Sequence, residues 1–302
     1  NADQPPPTAD QPPPNAHQPP SNAKEPARSD KKADPASARL NLLVITIDTL
    51  RADHLGCYGY FRETSPTIDA LARDSILFAR CLVPMAQTLP SHLSLMTGVY
   101  PLEHGVISNL EKPGGQNYSS TPQLRTLAEF LHEQGYRTAG FVSATPLKRE
   151  SGIASGFDHF SQPDHARRLG AETTEAALEW LGEKPAEPFF AWVHYFDPHA
   201  PYEAPSPYDR QFTADEKLEA HLAQRQVPAR VQKQRSDKRV VPEEDAWDTR
   251  KAVNGYDGEI RYTDEQVKTL LARLREAGLS ERTLIVLTGD HGEGLGQHGI
   301  VM

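Results

Sequence analysis

Long apolar runs are missing from this chain: no stretch approaches the roughly 18 residues that a membrane-crossing helix needs. Basic charge is short as well. The formal net charge is -9, which leaves no basic stripe for nucleic acid and disfavours an anionic bilayer surface. Cysteine is nearly absent. Cys57 and Cys81 stand at a spacing that matches no zinc or redox motif. They read as small buried apolar residues, with nothing to support a disulfide. No starting Met and no signal peptide are visible, and the chain stops at Met302, just after a cluster of metal-type ligands. The expectation is a fragment, with the C-terminal part of the fold missing and a start from which a leader could have been lost.

The charge that is present is unevenly spread. Residues 1–39 carry five acids and five bases, so the acidic excess sits wholly in the remainder. Within residues 1–38, ADQPPPT, ADQPPPN and AHQPPSN form three imperfect heptads followed by a degenerate AKEPARS. Proline favours extended polyproline conformations and the tract has nothing apolar to bury, which predicts a disordered linker. His17 reads as solvated repeat filler. A spacer below an upstream membrane anchor suits this composition better than a ligand for a proline-recognising domain. Export to the periplasm or cell surface is the matching expectation. Residues 39–302 then form one domain, since 37% hydrophobic content supports a core of ordinary size.

That domain is organised around NLLVITIDTL, residues 41–50. Its first seven residues are mostly β-branched or Leu, the pattern of a strand buried on both faces of a parallel sheet. Asp48 follows directly, where open α/β sheets place their ligands. TLIVLTG, residues 283–289, repeats the device and delivers Asp290 and His291. Between them, TSPTIDALARDS reads as a helix with Ser65 as N-cap and Pro66 in the first position. ILFARCLV, residues 76–83, reads as a short strand. Thr88, Leu89 and Pro90 read as a helix start with Gly98 as its stop, and Leu93, Leu95 and Met96 as core. TPQLRTLAEFLHEQG and ETTEAALEWLG read as helices, TAGFVS and PFFAWVHYF as strands. Residues 207–250 are charged and weakly periodic, which predicts an exposed helical excursion or a lid. DGEIRYTDEQVKTLLARLREAG predicts a long helix with Ile260, Val267, Leu270, Leu271 and Leu274 inward. Alternating strands and helices predict an α/β fold with a mostly parallel sheet.

Two carboxylates and an imidazole suit a divalent cation that also holds an anionic substrate, which makes Asp48, Asp290 and His291 candidate ligands. A hydroxyl is a poor nucleophile until its proton is withdrawn or it meets a cation. Thr88 stands at a helix start, where free N–H groups and the dipole favour an anion and where the metal could act as well, which makes its hydroxyl a further candidate ligand beside Asp48, Asp290 and His291. Its two readings are nucleophile and helix cap. His199, after Asp197-Pro198 at a third strand end, could protonate a leaving oxygen or bind substrate. His194, inside the apolar strand, reads as a hydrogen-bonded core histidine, and His104 as structural. His298 is near enough in sequence to Asp290 to reach a shared site.

VITIDTLRADHLGCYGY, TLPSHLSLMTGVYPLEHG, WVHYFDPHAPY, NGYDGEIRYTD and LIVLTGDHGEGLGQHG occur in this order. From about Leu40 onward they resemble the sulfatase family of the alkaline phosphatase superfamily. The resemblance implies an alkaline-phosphatase-like three-layer sandwich, a divalent metal and hydrolysis of sulfate or phosphate esters. It places Asp48, Asp290 and His291 on metal-ligand positions, Thr88 on the nucleophile beside them, and His199 on the histidine of the PHxPY segment that contacts substrate. Two departures stand out. The family's main motif, Cys or Ser-x-Pro-x-Arg, yields formylglycine; here it is Thr88-Leu89-Pro90-Ser91-His92. Thr cannot give that aldehyde, and His92 replaces the arginine, which makes it a further catalytic candidate. The second acid of the usual Asp-Asp pair is Thr49.

Thr nucleophiles resemble instead the phosphodiesterase and phosphoethanolamine-transferase branches. No Asp-x-x-x-His set for a second metal is present, so the expectation is one divalent ion: Ca, Mn or Zn. The substrate expected is a sulfate or phosphate ester, small or linked to a glycan or lipid, with no role for nucleic acid. The other reading is a binding module that kept the fold and lost the reaction.

Overall fold

The computed structural model describes residues 39–109, 117–231 and 246–297. The proline-rich tract and His298 lie outside them. In chain order the elements are β1 (Asn41–Ile47), α1 (Pro66–Arg73), α2 (Thr88–Thr97), α3 (Pro101–His104), α4 (Leu127–Glu133), β2 (Arg137–Phe141), β3 (His159–Ser161), α5 (Gly170–Gly182), β4 (Phe189–Tyr195), α6 (Glu216–Gln224), β5 (Arg230–Val231), β6 (Trp247–Asp248), α7 (Thr249–Glu276) and β7 (Thr283–Gly289). Five strands form one sheet in the order β3-β2-β4-β1-β7, and every pairing in it is parallel. β5 and β6 pair separately and antiparallel.

The sheet is covered on both faces, which explains why β1 and β4 are apolar without alternation. Leu43, Ile45 and Ile47 of β1 join Trp180 of α5 and Val267, Leu270 and Leu274 of α7 in one core cluster. Val44 points the other way, into a second cluster with Leu89, Leu93 and Met96 of α2, Ala128 of α4 and Trp192 of β4. The result is three layers, as in alkaline-phosphatase-like folds. All strands of the sheet run the same way, so their carboxyl ends share one edge. Register pairs Ile47 of β1 with Tyr195 of β4 and with Gly289 of β7. Asp48, Phe196 and Asp290 therefore leave the sheet side by side.

Several expectations from sequence need correction. Residues 76–83 form no strand; Ile76 and Leu82 are 86% and 93% exposed. Apolar content alone does not make a strand where no neighbouring strand offers its backbone groups. β7 is less buried than β1, with Leu284 54% exposed, because among the described residues it pairs only with β1. Leu95 faces outward on α2 while Leu93 and Met96 are buried, as the helical period requires. Cys57 is half-buried and Cys81 exposed, both unbonded, rather than a buried pair. The charged excursion is not wholly solvated. Leu218 and Leu222 of α6 and Val227 join the main core cluster; residues 232–245 lie outside the described residues.

Candidate active site

The site is built at the carboxyl edge of the sheet from three loops. After β1, Thr49 adopts a left-handed backbone, φ 56°, a rare conformation for a β-branched residue. The turn aims the Thr49 N–H at Asp290 Oδ1, 3.0 Å away. It is held from α7, where the Tyr256 hydroxyl donates to the Thr49 carbonyl (2.7 Å) and accepts from the Arg51 N–H (2.9 Å). After β7, Gly289 lets the chain pass against this turn, since a Cβ there would lie 2.7 Å from the Leu50 carbonyl oxygen. Arg51 bridges the two loops by donating to the Glu293 carbonyl (2.8 Å) and to Gln297 Oε1 (3.0 Å).

The third contributor is the start of α2. Gln87, not Thr88, is its N-cap residue. Thr88 is the first helical residue, and its hydroxyl donates to Asp48 Oδ2 at 3.3 Å instead of capping the backbone. Capping falls to Asn109, whose Oδ1 accepts the Leu89 N–H at 2.9 Å. Pro90 has no N–H. The free amides expected of this helix start are therefore partly spent. The Ser91 hydroxyl donates to the Asp290 carbonyl at 2.5 Å, which locks α2 onto the β7 loop.

Asp48, Asp290 and His291 converge, with one ligand atom of each within 4.8 Å of the others. His291 Nε2 lies 3.6 Å from Asp48 Oδ1 and 3.5 Å from Asp290 Oδ2. All three of these atoms are buried and, among the described residues, without a hydrogen-bond partner. Three orphaned donor atoms, two anionic oxygens and one imidazole nitrogen, are the set a divalent cation takes. Burial raises the pKa of Asp48, against the opposing pull of His291 and His199. Burial and the neighbouring Asp48 charge push Asp290 up to about 6. Burial works against a charged His291 ring, yet Asp290 and Asp48 outweigh it and raise its pKa. The three groups together hold excess negative charge in a dry place.

The remaining sequence candidates fall around this centre. His92 is fully buried. Its Nδ1 meets the Thr88 carbonyl at 2.8 Å and its Nε2 meets Thr46 Oγ1 at 3.0 Å. Nδ1 also lies 3.4 Å from Asp290 Oδ2. Burial lowers the ring's pKa to about 4, against the Asp290 charge. His92 thus underpins Thr88 and Asp290 from beneath. His199 is half-buried on the loop after β4, stacked on Phe196 at 4.6 Å, and donates Nδ1–H to the Ala200 carbonyl at 2.6 Å. His104 turns to the backbone of Pro90 (3.2 Å) and to Ser94 Oγ (3.1 Å), away from the centre.

One residue that sequence reading left in the core reaches the site. His194, fully buried on β4, places Nε2 3.5 Å from Asp48 Oδ2. Its signal was its register: it pairs with Thr46, two residues before Asp48. Thr46 Oγ1 and Asn109 also escaped notice, because their roles are partner choices across 46 and 20 residues of chain.

Comparison with known proteins decides the family. The sulfatase family model matches residues 40–301. This chain belongs to the sulfatase family. Human iduronate 2-sulfatase is 27% identical over 327 residues, covering 90% of this chain and 58% of that protein. The delta 4,5-hexuronate-2-O-sulfatase of Bacteroides thetaiotaomicron is 23% identical over 299 residues, covering 89% of this chain and 60% of its own length. Among solved structures, the phosphonate monoester hydrolase of Agrobacterium radiobacter superposes with a TM-score of 0.68 at 24% identity, over 87% of this chain and 65% of that one. This sulfatase-family chain thus spans between half and two thirds of the length of these relatives, and it shares the alkaline-phosphatase-like fold of the solved structure.

Proposed function

We propose that this chain carries the catalytic centre of a metal-dependent hydrolase of sulfate or phosphate esters, with Thr88 as its nucleophile. One observation supports this above the others. The Thr88 hydroxyl points at Asp48 Oδ2, while Asp48 Oδ1, Asp290 Oδ2 and His291 Nε2 stand beside it with no hydrogen-bond partner among the described residues. Asp48, Asp290 and His291 would hold one divalent cation. When bound, it supplies positive charge against the anionic ester and the entering oxygen.

The chain's own residues have distinct tasks in this reading. Asp48 accepts the Thr88 hydroxyl and fixes where Oγ1 points. His92 and Ser91 hold the α2 start and the Asp290 loop together, so the two halves of the site keep their spacing. His199, with Nδ1–H committed to Ala200, keeps Nε2 for the leaving oxygen. Thr88 Oγ gives its proton to Asp48 Oδ2 and forms a bond to phosphorus or sulfur, as the bond to the ester's leaving oxygen breaks and that oxygen takes a proton from Nε2–H of a His199 ring protonated on both nitrogens. Water, or an acceptor hydroxyl, then gives its proton to His199 Nε2 and displaces Thr88 at the same atom, and Thr88 Oγ takes back the proton held by Asp48. Phosphoester chemistry suits this residue better, because Thr lacks the second hydroxyl by which formylglycine expels sulfate without attack at sulfur. The two curated relatives are named for the 2-sulfate of uronic acid sugars, which supports a sulfated sugar as the other substrate class.

The test is turnover by the full chain of an aryl sulfate, an aryl phosphate and an aryl phosphate diester, with Ca, Mn or Zn added. At least one should be hydrolysed, and Thr88→Ala should abolish it. A chain that binds metal and turns over none would instead be a binding module that kept the fold.

A further inference from the structure

We infer that His194 is a positioning residue whose Nε2–H holds Asp48 Oδ2 and so presents Oδ1 toward the cation. This rests on the function proposed above, since it takes Asp48 as a ligand.

The argument begins at the other ring nitrogen. His194 Nδ1 accepts the Ser143 backbone N–H at 3.2 Å. A ring nitrogen that accepts carries no proton, so the neutral ring has its proton on Nε2. The Ser143 side chain reinforces this arrangement. Its hydroxyl donates to the His194 carbonyl at 2.5 Å and lies 2.7 Å from Thr173 Oγ1, which pins the end of β2 to β4. The tautomer is thus set by backbone, from the segment that follows β2, the neighbour of β4 in the sheet.

Nε2 is fully enclosed and has no hydrogen-bond partner among the described residues. The nearest carboxylate oxygen is Asp48 Oδ2, at 3.5 Å. A shift of about 0.5 Å in ring or carboxylate makes this a hydrogen bond. A protonated ring nitrogen has no lone pair to give, so His194 is not a fourth ligand, although a histidine beside the three candidate ligands invites that count. It is a donor aimed at a ligand. The two oxygens of Asp48 are thereby divided. Oδ1 faces His291 at 3.6 Å, and Oδ2 faces His194 and Thr88. Groups behind a metal ligand that fix its orientation are worth about 10–100-fold in metal affinity.

Two variants and one spectrum test this. Mn2+ is titrated calorimetrically into the full chain, His194→Leu and His194→Gln. Leucine removes the donor, and affinity should fall by about 10–100-fold. Glutamine offers an N–H at similar reach and should recover most of that loss. Nitrogen-15 imidazole spectra of the metal-free wild type should show His194 protonated at Nε2. The inference is overturned if the proton sits on Nδ1, if folded His194→Leu binds Mn2+ as tightly as wild type, or if glutamine rescues nothing. If leucine prevents folding, the glutamine variant and the tautomer decide. A wild type that takes no Mn2+, Zn2+ or Ca2+ sinks the proposed function along with this inference; binding untouched by His194→Leu sinks the inference alone.

Discussion

Two buried carboxylates in this molecule are treated in opposite ways. Asp257, on α7, is fully enclosed and complete. Oδ1 meets His54 Nδ1 at 2.7 Å, and Oδ2 accepts from the Tyr60 hydroxyl at 2.8 Å and from Arg62 Nη1 at 2.7 Å. Arg62 continues to the Thr213 carbonyl at 2.7 Å. This cluster ties the loop after β1 to the long helix, and the chain itself supplies every partner. Asp48, equally enclosed, sits next to a second carboxylate and has an oxygen with no partner among the described residues. A charge buried with its partners is structural; a charge buried among like charges is waiting for something from outside.

The comparison can be broken or sharpened by substitution. The largest effect should come at Thr88. Thr88→Ala should lower turnover on the order of 10⁴- to 10⁶-fold, the scale of losing a hydroxyl nucleophile, with the thermal unfolding curve unchanged; steady-state kinetics checks it. Next, Asp257→Ala leaves Arg62 and His54 buried without their acceptor. It should cost about 3–5 kcal/mol in urea unfolding. Asp48→Asn should behave in the opposite sense: metal-free stability unchanged or raised, because a buried like-charge contact with Asp290 is relieved. If both variants destabilise equally, the contrast between the two sites is lost.

A smaller effect should follow cation addition. At 100 times its dissociation constant a ligand specific for the folded state adds about 2.7 kcal/mol. Wild type should gain this in thermal unfolding, and Asp48→Asn should not. The smallest effect concerns Glu259 on α7, whose carboxyl is pushed up to about 8 by burial and then by the Asp197 charge. Between its ordinary value of 4.5 and about 8, the folded state keeps a proton that the unfolded state has lost. Its contribution is therefore full below the ordinary value and fades as pH rises through about 8. Glu259→Gln should flatten that decline, raising the melting temperature by a few degrees at pH 9 and little at pH 5.

How legible this was in the sequence depended on distance along the chain. β1 and the residue after it could be read locally: a β-branched run, then an acid, marks both the strand and the place of a candidate ligand. The same holds for Asp290-His291. What could not be read were choices of partner. Residues 76–83 have the composition of a strand but no ladder among the described residues, and Leu95 sits one step around the helix from its buried neighbours. The hydroxyl of Thr88 could cap or react, and only the arrival of Asn109 at the Leu89 N–H shows that capping is supplied elsewhere. His194 looked like core because it is core. Its second nitrogen acquires meaning only from Ser143, 51 residues earlier.

The central claim is that Asp48, Asp290 and His291 are open because they hold a divalent ion beside Thr88. The direct measurement is calorimetric titration of the full chain with Ca2+, Mn2+ and Zn2+ in turn, with Asp48→Asn and Asp290→Asn alongside. The account predicts that at least one of the three binds with one ion per chain, and that each variant stays folded and loses that binding. No binding by any of the three, or variants that bind as the wild type does, would contradict it.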